Sequence, residues 1–167
     1  TSRLVGSEMC IRDRYKPTTP LAELKSLLSH DLDKVDSLIL ELVKDKVGFI
    51  PDISNHTISS GGKRLRPLLT LASAKLCGYS GESHVSLAAS VEFIHTATLL
   101  HDDVVDESDL RRGVDTAKNL WGNKASILVG DFLLAKAFNL MGDANSLEVF
   151  NVLSNAAVVI SEGEVQQ

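Results

Sequence analysis

Aromatic residues are scarce in this chain, 5% of 167 residues, and no clean apolar–polar alternation bounded by turns appears. A sheet built from aromatic and β-branched strands is therefore not expected. Two cysteines, Cys10 and Cys77, are too few for a disulfide framework. They suit a reducing compartment, and a cytoplasmic location is expected. No uninterrupted apolar run reaches the ~18 residues of a bilayer span, and no signal-peptide segment opens the chain. The net charge of −5 is small, which removes the bulk electrostatic case for a nucleic-acid partner. Repeats and low-complexity linkers are also missing, so nothing inside residues 15–167 marks a domain boundary.

What the chain does have is apolar residues at helical spacing, within a composition that is 44% hydrophobic. Thr19-Pro20 offers a cap and a first-turn proline. From there Leu21, Leu24, Leu28, Leu32, Val35, Ile39 and Leu42 form one stripe, predicting a single helix over 20–46. Residues 51–60 read as a short helix or loop, and Gly61-Gly62 as a break. Further helices are predicted over 63–77, with Pro67 in the first turn, and over 82–107. The latter turns Val85, Ala88, Ala89, Phe93, Thr96 and Leu100 toward a core. Gly113 closes a loop, Asn123 can cap a helix running to about Met141, and a last helix runs from Ser146. The fold class is all-α, a packed helical bundle. Residues 1–14, TSRLVGSEMCIRDR, are aperiodic and unlike the rest, and are expected to be non-native or disordered.

Two stretches carry chemistry. HDDVVDESDLRRG, residues 101–113, packs Asp102, Asp103, Asp106, Glu107 and Asp109 into eight positions and follows them with Arg111 and Arg112. A like-charge pair at ~4 Å costs ~1 kcal/mol in water and ~4 kcal/mol at an effective dielectric near 20, so the cluster needs a partner. On a helix Asp102 and Asp106 stand at i and i+4, one above the other. That spacing suits Mg²⁺, which takes hard oxygen ligands and is typically held by one or two carboxylates plus substrate phosphates. A solvated helix end is the plain alternative. Against it, the preceding IHTATLL is apolar, so the acids begin where a buried helix would reach a cavity mouth. The spacing of an EF-hand loop is absent.

The second stretch is GGKRLRP, residues 61–67. Paired glycines allow close backbone approach to a ligand. Lys63 and Arg66 are expected on one face of a helix start, where anions are favoured and arginine can grip phosphate in a fork. Basic surface residues near a turn are the plain alternative, and a Walker A loop does not match. His95 lies seven residues before Asp102, on nearly the same helix face, and either packs or serves the site. His30, His56, His84 and His101 read as ordinary packing or surface residues. Asp131, in apolar company, is expected to pair with an arginine or lysine. Acids that can recruit a dication to one diphosphate, beside cations that can hold another, describe a site for two diphosphates in a helical bundle.

GGKRLRP, EFIHTATLLHDDVVDESDLRRG, ASILVGDFLLAKAF and ISEGEVQQ, in this order and spacing, resemble the trans-polyprenyl diphosphate synthases over roughly residues 20–167, and most of all the long-chain octaprenyl and solanesyl branch. The resemblance implies the isoprenoid synthase bundle. It implies Mg²⁺ bound by Asp102 and Asp106 across an allylic diphosphate that Arg111 contacts, and isopentenyl diphosphate held by Lys63, Arg66, His95 and Arg112. It also implies a homodimer when the protein is complete. Small residues at Ala97 and Thr98, four and five positions before the first aspartate, imply a long product suited to a quinone side chain. The family's second aspartate-rich motif and its Lys-Thr element do not occur in this sequence. Residues 15–167 are therefore expected to be the N-terminal half of a synthase, with an incomplete bundle that is inactive alone. A class I terpene cyclase and a non-catalytic subunit of a heteromeric synthase are the rivals, and an interaction-only helical domain comes last. A cyclase needs no isopentenyl site, and a non-catalytic subunit would typically have lost the acids.

Overall fold

The computed structural model describes residues 19–44, 46–59 and 62–166. The expectation for residues 1–14 lies outside the described residues. The order is α1 (Pro20–Leu27), α2 (Ser29–Val43), α3 (Ile50–Ser59), α4 (Leu65–Leu76), α5 (Ser83–Val105), β1 (Leu110–Arg111), β2 (Val114–Asp115), α6 (Ala117–Trp121), α7 (Asn123–Asp143) and α8 (Leu147–Gln166). The all-α expectation holds apart from one two-residue ladder.

Thr19 caps α1 as expected, its Oγ1 accepting from the Ala22 N–H at 3.3 Å, with Pro20 in the first turn. The single helix expected over 20–46 is instead two. Leu28 leaves helical geometry at φ −109°, ψ 10°. The Ser29 hydroxyl donates to the Ser26 carbonyl at 3.1 Å, the kind of local side-chain bond that competes with the helical ladder. The apolar stripe continues across the break: Leu28, Val35, Ile39 and Val43 are buried while Leu21 is exposed.

α5 is the central element, packed mainly on α7 and flanked by α4 and α2. Five of the six side chains predicted to face the core do so fully, and Val85 packs at its edge. Small residues let α5 and α7 approach. The Ser90 hydroxyl donates to the Ala137 carbonyl at 3.1 Å, and that of Ser126 to the Leu100 carbonyl at 3.0 Å. Gly130 leaves room for the His101 ring, which a β-carbon there would strike. His101 Nε2 lies 3.4 Å from Asp131 Oδ1, so Asp131 pairs with a histidine rather than the expected arginine or lysine. Asn123 is the first residue of α7 and not its cap; Gly122, at φ 84°, precedes it. Among the described residues α7 is the one helix long and apolar enough to cross a membrane, and 39% of that apolar window is buried in the bundle. α8 contributes no fully buried residue and exposes Leu147, Val152, Val159 and Val165.

The short ladder was not expected. β1 and β2 pair antiparallel, Leu110 with Asp115 and Arg111 with Val114. The turn between them is Arg112-Gly113 at φ 54° and 80°, the sign pattern of a tight hairpin turn. His56 on α3 meets the Asp115 carbonyl at 2.8 Å and stands edge-on to Trp121 at 5.3 Å, which ties the hairpin and α6 to the bundle.

Candidate active site

Both sequence stretches converge on one end of α5. Asp102 is half-buried on its last turn and Asp103 is buried. Asp106 is the C-cap, exposed, with its N–H donating to the Asp102 carbonyl at 2.8 Å. The hairpin folds back on this end: the Ser108 N–H donates to the Asp103 carbonyl at 3.0 Å, and the Thr116 hydroxyl donates to the Ser108 carbonyl at 2.8 Å.

Two of the five acids are neutralised within the fold. Arg111 Nε and Nη2 both lie 2.8 Å from Asp103 Oδ1, and Lys118 Nζ lies 3.2 Å from Asp109 Oδ1. Asp102 forms no ion pair among the described residues. Burial, with the negative charges of Glu164, Asp106 and Asp103, holds its carboxyl above the usual carboxylate value against the opposing pull of Arg111. A cation placed beside Asp102 would oppose that shift. No group of three or more His, Cys, Asp or Glu forms a metal cage among the described residues. Asp102 and Asp106, i and i+4 at the end of α5, would nonetheless suit Mg²⁺, because that ion keeps water and phosphate in most of its positions.

The basic residues meet a turn or two back along α5. Lys63, Arg66, His95 and Arg112 line one cleft of ≈ 470 Å³. Lys63 and Arg66 do not share a helix face as expected, because Lys63 precedes the helix and the residue between it and Leu65, Arg64, is left-handed at φ 52°. Four segments supply this cleft: the loop, α4, α5 and the hairpin turn. His95 is the centre of the charge pattern. Burial and the guanidinium groups of Arg66, Arg111 and Arg112 push its pKa from 6.5 down to about 4, so the ring is neutral at pH 7. Burial and the arginines around it thus act together against a charge on His95.

A second cleft of ≈ 350 Å³ shares Arg66 and His95 with the first and adds Asp102, Thr98 and, from α8, Glu164. A third space of ≈ 730 Å³ continues from Ile94 and Thr98 along Ala97, His101, Leu134 and Phe138. Cationic cleft, carboxylate and apolar groove thus adjoin one another. Lys63, Arg66, His95, Arg112 and Asp102 line the first two clefts, Arg111 sits beside them on Asp103, and Asp106 lines neither. Sequence reasoning missed Glu164, which faces Asp102 from α8, and the Asp103–Arg111 contact.

The fold and this constellation define a class. The chain is similar in structure to a decaprenyl diphosphate synthase from Rhodobacter capsulatus (TM-score 0.85, 55% identity, 89% of this chain and 46% of that one). It is similar also to a polyprenyl synthase from Caulobacter crescentus CB15 complexed with calcium and isoprenyl diphosphate (TM-score 0.86, 49% identity, 92% and 47%). The fold is thus the all-α bundle of the isoprenoid synthases. In sequence it is 49% identical over 147 residues to the octaprenyl diphosphate synthase of Escherichia coli K12, covering 88% of this chain and 46% of that protein. The polyprenyl synthetase family model matches residues 48–167, and the chain belongs to that family. It spans a little under half the length of these relatives.

Proposed function

We propose that these residues form the N-terminal, substrate-gathering half of a prenyltransferase. The whole protein joins isopentenyl diphosphate to an allylic diphosphate and builds a long all-trans polyprenyl diphosphate for isoprenoid quinone side chains. The observation that carries this reading is the meeting on α5 of a cleft lined by Lys63, Arg66, His95 and Arg112 with an adjoining cleft that holds Asp102, about two turns beyond His95. Lys63, Arg66, His95 and Arg112 hold isopentenyl diphosphate without metal, through charge-assisted hydrogen bonds. Arg111 is braced by Asp103 through Nε and Nη2, which leaves its Nη1 end for the allylic diphosphate. Asp102 and Asp106 hold Mg²⁺, which when bound makes diphosphate a better leaving group.

In the condensation the allylic C1–O bond breaks and diphosphate departs. The isopentenyl double bond then bonds through C4 to that carbon, and a proton leaves C2. The protein's share is orientation and electrostatics. The growing tail enters the apolar groove below Thr98. Long-chain product names among the relatives support the length, and the calcium in the Caulobacter relative supports a dication. The reading includes a cytoplasmic homodimer. A terpene cyclase would leave the Lys63–Arg112 cleft without a ligand.

The test is turnover by the whole protein. Chelation should abolish it, and Asp102→Ala or Asp106→Ala should each lower it by several orders of magnitude. Unchanged turnover in either variant refutes the assignment. The 167 residues alone should bind diphosphate weakly and condense nothing, and robust prenyl transfer by them would overturn the half-enzyme reading.

A further inference from the structure

Arg64 stands in the middle of GGKRLRP, yet its guanidinium is taken up by two carboxylates of the protein, a half-exposed one on Asp36 and a nearly buried one on Glu92. Its Nε lies 3.1 Å from Asp36 Oδ1 on α2, and its Nη1 lies 3.0 Å from Glu92 Oε1 on α5. The Glu92 side chain is 8% exposed and that of Arg64 21%. The Arg64 backbone is left-handed, at φ 52°, ψ 34°, a conformation unfavourable for a residue with a β-carbon. Such a conformation persists only where the surroundings over-determine it. Here two ion pairs from two different helices do so. The turn has a consequence for its neighbours: with Arg64 reversed, Lys63 and Arg66 line the cleft that also holds His95 and Arg112, and Arg64 lies in the same wall with its guanidinium taken up by Asp36 and Glu92. Glu92 lines that same cleft, three residues before His95 on α5. A buried carboxylate in the wall of an anion site would repel the anion unless a cation sat on it.

We propose that Arg64 is a positioning residue: clamped between Asp36 and Glu92, it fixes the left-handed turn that presents Lys63 and Arg66 to the cleft, and it masks the Glu92 carboxylate from the anion bound there. It is not itself a diphosphate ligand. The proposal rests on the reading of the cleft as the metal-free diphosphate site, and it adds to that reading the device that shapes the site.

The test has two independent arms. The first is hydrogen exchange of the ligand-free chain, which requires no substrate. Arg64→Met should raise exchange at amides 68–70, which bond to the carbonyls of residues 64–66, by about tenfold or more, with α5 and α7 unchanged, and Arg64→Lys should fall between. The second is steady-state kinetics of the whole protein. Arg64→Met should raise KM for isopentenyl diphosphate about 10–100-fold, with kcat within a few-fold and KM for the allylic substrate unchanged. Adding Glu92→Gln to Arg64→Met should recover part of the lost affinity, because the unmasked charge is gone, but none of the loop protection. Unaltered exchange in Arg64→Met overturns the clamp. Lost affinity with an unaltered loop and no recovery on adding Glu92→Gln makes Arg64 a direct ligand instead. If the wild type fails to bind isopentenyl diphosphate, the reading of the cleft falls, and the exchange arm still decides the clamp.

Discussion

Asp103→Ala isolates the contact that ties the arginine-bearing hairpin to α5. Asp103 is 3% exposed and accepts two donors of Arg111 on one oxygen at 2.8 Å. Breaking a fully buried ion pair by removing one partner costs ~3–5 kcal/mol, since the other charge is left buried. The Arg111 side chain is 34% exposed and can recover part of its hydration, which lowers the expected loss to ~2–3 kcal/mol. For a chain of this size that is a fall in melting temperature of about 5–10 °C. Asp103→Asn keeps the shape and one acceptor and should lose less. Arg111→Met should also destabilise, and the double variant should lose clearly less than the two single losses summed, as expected of residues in direct contact. The assay is thermal and urea unfolding of the wild type and the four variants, with exchange at amides 108–116 reporting hairpin release. A melting temperature unchanged within ~1 °C in Asp103→Ala would refute the structural role of the Asp103–Arg111 contact.

The pH dependence of stability should carry the signature of His95. Its folded pKa is about 4 against 6.5 ordinarily. Below 6.5 the unfolded chain takes up a proton that the folded one refuses. This contribution is therefore full above pH 6.5 and is lost as pH falls toward 4. The ring is half-buried and solvent screens it, so the loss is about 1–2 kcal/mol. It should vanish in His95→Gln, and an identical acid limb in that variant would contradict it. Product length should respond to Thr98→Phe, which puts a ring into the groove below Asp102, and chromatography should show shorter prenyl chains. Ala97 is 1% exposed and packed in the core, so Ala97→Phe should cost ~1–3 kcal/mol in overpacking as well as shorten the product. A short, farnesyl-sized product from the wild type, or no shortening in both variants, would reject the long-chain reading.

Much of the fold was legible because period was its main signal. The stripes of α2 and α5 sit where the apolar spacing put them. The break at Leu28 was not legible, since the stripe runs through it unaltered. The hairpin was hidden because Arg112-Gly113 is an unusual pair for a turn with two positive φ values, and its strands are only two residues each. In the site, crowding of charge told that Asp102 to Asp109 needed partners, but not which. Asp103 and Asp109 find them in Arg111 and Lys118, and only contacts across the hairpin decide that. Likewise a run of Lys-Arg-Leu-Arg does not say which cation is spent on the protein itself. Arg64 lines the same cleft as Lys63 and Arg66 and differs from them in its left-handed backbone and its two carboxylate partners.

The central claim is that two diphosphates are handled by two different kinds of site at one end of α5. Steady-state kinetics of the whole protein with each substrate varied in turn tests it most directly, on Lys63→Ala and Arg112→Ala. Both should raise KM for isopentenyl diphosphate about 10–100-fold and leave KM for the allylic diphosphate unchanged, since each removes charge-assisted bonds to one substrate only. A rise for the allylic substrate alone would reverse the two sites, and consumption of the allylic diphosphate without isopentenyl incorporation would contradict the account altogether.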